Sequence, residues 1–175
     1  MDETRIPILV GSGQITQREE DPSTALSPMD LTALAGMKAA DDTNVNKSIL
    51  KELDTLVVIR SFSDTSWRFT CPFGKYSNPP LSLSKRLGAN NVNRHIYSYP
   101  GGNMPQWCVN RMFEMINLGE LQIGMIAGGE SLATQKAAQR AKITLNWNED
   151  LGGKYKNWGI NKRGWSEVED RHRMA

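Results

Sequence analysis

The sequence predicts an α/β domain with a parallel sheet and helices on its faces. Three observations carry this. Short unbroken apolar runs recur at 6–10, 56–59 and 123–127, apolar residues at helical spacing fall between them, and glycine-rich turns join strand to helix. Strands without polar interruption suit a sheet covered on both faces.

Taken in order, residues 6–10 read as a buried strand ending in Gly11, Ser12 and Gly13. That loop lacks the third glycine and the immediate helix of a dinucleotide fingerprint, so it reads as a tight turn. Ser27, Pro28 and Asp30 form an N-cap, a first-turn proline and a first-turn acid, and Leu31, Leu34, Ala35 and Ala39 continue at helical spacing to about Asp42. The β-branched run 56–59 is a second strand. Residues 60–80, rich in Ser, Pro, Phe and Trp, lack periodicity, and a loop of that length inside a domain is functional or an interface. A short helix through Leu81, Leu83 and Leu87 stops at Gly88, and residues 94–99 alternate as a third strand. The next helix covers 104–118, with Pro105 in its first turn and an apolar stripe of Val109, Met112, Phe113 and Ile116, and Gly119 stops it. A fourth strand, 123–127, leads through Gly128, Gly129, Glu130 and Ser131 into a last helix to about Lys142. The expected division is a domain over 1–145 and the start of a loop or insertion region over 146–175, where Trp147, Trp158 and Trp165 stand among polar residues without a periodic face.

The 175 residues suffice for one sizeable core, and 39% hydrophobic with 23% charged content excludes disorder throughout. A formal charge of +2 from nearly balanced acids and bases supplies no global field for nucleic acid or an anionic membrane. No apolar run approaches membrane-spanning length, and Met1, Asp2 and Glu3 do not open a secretory leader. With only Cys71 and Cys108, reduced thiols and a cytoplasmic location are expected.

Chemistry-bearing residues are few. His95 and His172 have no companions at metal-ligand spacing, so no metal is expected, and His95 reads as a strand residue at a sheet edge or interface. Cys108 lies too deep in its helix for dipole activation and reads as a structural thiol. Cys71, beside Pro72 and Phe73 in the aromatic loop, reads the same way. The turn Tyr99, Pro100, Gly101, Gly102, Asn103 is more specific, because it sets a strand end against the positive N-terminus of a helix, where α/β folds place reacting groups. The alternative is a glycine-rich connection chosen for steric reasons.

The order of these features resembles the N-terminal half of thiolases, in particular the thiolase-like acetyl-CoA acetyltransferase group and the branch related to sterol-carrier-protein thiolases. The resemblance rests on Gly11-Ser12-Gly13-Gln14, Ser27-Pro28-Met29-Asp30-Leu31, residues 56–60, Tyr99-Pro100-Gly101-Gly102-Asn103-Met104-Pro105-Gln106, and the run 119–131. It covers 6–142 and is firmest over 98–131. It implies a mostly parallel mixed sheet with helices on both faces, one of two similar halves, in a protein more than twice this length.

The resemblance also implies an acyltransferase with a coenzyme A thioester as substrate and no bound cofactor. Its expected partners are the missing C-terminal half of the same fold and, in a homodimer, a second copy. In thiolases a nucleophilic cysteine stands where this alignment puts Gly101, so no catalytic residue carries over. Gly101, Gly102, Asn103 and Gln106 carry over as the substrate-binding floor of the acyl pocket. Two functions therefore stand side by side. One is a thiolase-like acyltransferase in which another group, such as Cys71, replaces the nucleophile, and the other is a non-catalytic acyl-CoA-binding or scaffold relative. A third reading is a fragment whose apolar sheet face stays uncovered.

Overall fold

The computed structural model describes residues 5–45, 47–159 and 171. Its centre is a four-stranded sheet of order β3-β1-β2-β4, built from β1 (Thr55–Val58), β2 (Arg94–Ser98), β3 (Gly124–Ala127) and β4 (Lys156–Trp158). Every described strand pair is parallel. The helices are α1 (Pro28–Asp42), α2 (Pro79–Leu87), α3 (Met104–Asn117) and α4 (Leu132–Ala141).

Local sequence explains the helix ends. The Ser27 hydroxyl accepts the Asp30 N–H at the start of α1, and the Asn78 side chain accepts the Leu81 N–H at the start of α2. Gly88 closes α2 in the left-handed conformation.

Connectivity explains the layers. β1 leads through α2 to β2 on one side, whereas β2 leads through α3 back across β1 to β3. Two crossovers of one hand running in opposite directions must lie on opposite faces. Accordingly Leu56, Val58 and Tyr97 pack with Met29 and Ala33 of α1 and Leu83 and Leu87 of α2, while Val57 and Ile96 pack with Met104, Cys108, Met112 and Met115 of α3. Leu56, Val57 and Leu83 are fully buried, and each such side chain contributes about 1.5–3 kcal/mol.

Three expectations need correction. Residues 6–10 form no strand: the segment lies outside the sheet, with Ile6, Ile8, Leu9 and Val10 between 51% and 81% exposed. An apolar run forms a strand only where an adjacent edge receives its hydrogen bonds, and here the chain is instead held to α1. The Ser12 N–H donates to the Asp42 carboxylate at 2.8 Å, and Gly13 passes so close that a Cβ would stand 2.3 Å from the Ala35 carbonyl oxygen. The helix stripes are also rotated. α1 buries Met29, Thr32, Ala33, Gly36 and Ala40 rather than Leu31, Leu34, Ala35 and Ala39, and α3 buries Met104, Cys108, Met112 and Met115 while Phe113 stays exposed. Both helices carry apolar residues over more than one face, so their neighbours decide which face turns inward. Part of the tail packs on this sheet: β4 extends it beside β2, and Trp147 is buried with its ring edge-on to Phe73 at 5.7 Å. Trp165 and His172 lie outside the described residues.

Candidate functional site

Parallel strands end on one side of a sheet, so the segments after β1, β2 and β3 meet at a common edge, where α/β folds hold ligands. The loop after β1 is fastened across it. The Ile59 N–H donates to the Ala127 carbonyl at 2.8 Å, the Arg60 N–H to the Ser98 hydroxyl at 2.9 Å, and the Phe62 N–H to the Glu130 carboxylate at 2.5 Å. The Ser61 N–H donates to the Tyr97 hydroxyl at 3.2 Å, which in turn donates to the Asp64 carboxylate at 2.5 Å. Burial first, then the Asp64 charge, pushes the Tyr97 phenol well above its ordinary value, so it remains a neutral donor. Burial likewise raises the Glu130 carboxyl despite the Phe62 hydrogen bond.

The adjacent strands β1 and β2 send their connections to opposite faces, which opens a crevice between their ends. Arg60 lines it. The guanidinium donates from Nε to the Ser98 carbonyl at 2.8 Å and from Nη2 to Asn157 Oδ1 at 3.0 Å, and it lies 4.2 Å over the Tyr97 ring. Sequence reasoning singled out this loop but none of Arg60, Asp64, Lys75 or Tyr97 as side chains. A cation and an acid inside a Ser- and aromatic-rich loop carry no spacing signal, and their partners lie 33 to 97 residues away.

Gly101, Gly102 and Asn103 form an exposed turn at the end of β2. The Met104 N–H donates to the Gly101 carbonyl at 3.1 Å and the Trp107 N–H to that of Asn103 at 3.0 Å, so the turn leads directly into α3. Gln106 is exposed; its side-chain amide donates to Asn110 Oδ1 at 2.9 Å, and it borders the apolar groove between α3 and residues 6–10. Gly101 has φ +155°, a region that side chains disfavour, and a Cβ there would stand 2.9 Å from Asn103 Oδ1 and 3.2 Å from Met104 Cγ.

The two thiols are elsewhere. Cys108 is fully buried on the sheet-facing side of α3, and burial pushes its pKa up to about 11. Cys71 lies on the other side of the sheet, half-buried in a cavity of about 40 Å³ with Met29, Val58, Tyr97 and Trp147, a cavity that none of residues 101–106 lines. Burial raises its pKa, outweighing the opposite influence of the nearby Phe73 and Gly74 backbone N–H groups. His95 is half-buried in β2, one residue before β4 joins that strand, and burial lowers its pKa. Among the described residues no cluster of three or more His, Cys, Asp or Glu could hold a metal ion, and no helix is long and apolar enough to cross a membrane.

No family model matches the sequence, and no curated protein matches it. Among solved structures, the chain is similar to the crystal structure of a monomeric SCP2-thiolase like protein type 1 from Mycobacterium smegmatis, with a TM-score of 0.61 and 24% identity. The match covers 75% of this chain and 25% of that one, so the chain spans about a quarter of that protein's length. The likeness shows a thiolase-like fold.

Proposed function

We propose that the complete protein binds acyl thioesters of coenzyme A on a thiolase-like fold without forming a cysteine-linked acyl enzyme. The observation that carries this reading is the backbone at Gly101, the position where the thiolase resemblance expects a nucleophile. Glycine supplies no nucleophile, and φ +155° disfavours any side chain there. Neither thiol takes over the role: Cys108 faces the sheet with its proton held up to about pH 11, and Cys71 lines a separate cavity on the opposite side. Gly101, Gly102, Asn103 and Gln106 are then the floor of an acyl pocket completed by further chain, and coenzyme A is a ligand rather than a resident cofactor.

Titration calorimetry with acetyl-CoA and a longer acyl-CoA, together with intact-mass spectrometry after the same incubations, tests this. Saturable binding without a covalent adduct is expected. An acyl group retained on Cys71 or Cys108 after denaturation would restore the acyltransferase reading, and the absence of binding to either thioester would refute the role altogether.

A further inference from the structure

The Arg60 crevice holds a cation through neutral contacts alone. The Arg60 guanidinium is oriented by two neutral acceptors, the Ser98 carbonyl and Asn157 Oδ1, and by the Tyr97 ring beneath it. Among the described residues no carboxylate lies within salt-bridge distance of it. Neutral acceptors fix the fork in place without cancelling its charge, so the rotamer entropy of holding an arginine still has been spent before any ligand arrives.

A second cation shares the same open depression of about 410 Å³, where Lys75 and Tyr155 stand beside Arg60. Asp64 also borders it, its carboxylate accepting the Tyr97 hydroxyl, whereas exposed Asp150 is not part of the lining. The lining of the depression therefore keeps a net charge of +1 from Arg60, Lys75 and Asp64. Its place between the carboxyl ends of β1 and β2, where the two connections leave for opposite faces, is the general position of ligands in such sheets.

We propose that this depression is a binding site for a phosphate group, held by the preset Arg60 fork and by Lys75. A planar guanidinium matches phosphate oxygens two at a time, whereas lysine adds a mobile point charge, and the division between one fixed and one exposed cation suits that pair. The site does not depend on thioester binding, since it is probed without an acyl group.

The test is a titration of the complete, ¹⁵N-labelled protein with inorganic phosphate and, separately, with ADP, followed by NMR at the Arg60 Nε–H and the Lys75 backbone amide. Saturable shifts at both positions are expected. Lys75→Gln, an exposed change, should weaken binding about threefold to tenfold, and Arg60→Gln about tenfold or more. Tighter binding of ADP through the same residues identifies a nucleotide phosphate as the source, and equal binding identifies the phosphate group alone. Both support the site. Absence of saturable shifts with either probe, or Lys75→Gln binding phosphate as tightly as the parent, overturns it. The lysine variant decides between these outcomes even if Arg60→Gln fails to fold.

Discussion

Placing a side chain at Gly101 measures whether this turn could ever have held a nucleophile. At φ +155° a non-glycine residue costs about 1–3 kcal/mol. The new Cβ would meet Asn103 Oδ1 at 2.9 Å and Met104 Cγ at 3.2 Å. The first neighbour is the tip of an exposed side chain and moves easily. The second belongs to a methionine only 4% exposed in the α3 core, so it gives way less readily. A loss of about 2 kcal/mol is therefore expected for both Gly101→Ala and Gly101→Cys. With a urea dependence of about 1–3 kcal/mol per molar, the unfolding midpoint should fall by about 1 M. Gly102→Ala is the internal control, because nothing lies within 4 Å of its added Cβ and its φ is not among the positive ones. It should change stability by less than about 0.5 kcal/mol. A Gly101→Cys variant as stable as the parent would refute strain at this turn, since the backbone would then accept a cysteine and glycine there would be incidental. Acylation of Gly101→Cys by acetyl-CoA at neutral pH would refute it equally.

Two further outcomes follow from side-chain surroundings. In the native protein a thiol reagent should label Cys71 first, while Cys108, fully buried with its pKa pushed to about 11, should react only as fast as the protein unfolds; equal rates would contradict its placement. Arg86→Ala should cost about 1–2 kcal/mol, because Arg86 ties Asp30 of α1, at 2.6 Å, to Glu149 near the tail, at 2.9 Å, in a cluster only partly shielded from solvent. Burial alone would raise the Asp30 carboxyl, but hydrogen bonds from Ser27 and Arg86 outweigh it and hold the pKa below its ordinary value. A depressed folded pKa stabilises above the unfolded value of about 3.9 and is lost as pH falls through the folded one. Arg86→Ala should therefore flatten the acid limb of the stability profile below about pH 4, and an unchanged limb would remove Arg86 from that role.

Where the controlling forces lie within a few residues, the sequence alone was sufficient. Ser27 caps α1, Gly88 ends α2, and the runs around 56–59, 94–99 and 123–127 became β1, β2 and β3 within a residue or so of their expected ends. The same local chemistry marked the Gly101 turn as the meeting of a strand end and a helix start. Tertiary structure decided everything that depends on a distant partner. Residues 6–10 are as apolar as β1, but with their backbone outside the sheet they remain an exposed irregular segment. Lys156, Asn157 and Trp158 carry no strand pattern, yet β2 supplies the hydrogen-bonding edge that makes them β4. α1 and α3 had to be surrounded before either could have a buried face. Arg60 became a candidate ligand group because Ser98 and Asn157, 38 and 97 residues further along the chain, hold its guanidinium between strands whose connections part to opposite faces. A strand or a cap is specified by nearest neighbours; a binding site requires chain ends of several strands to converge, and convergence is a property of the sheet order.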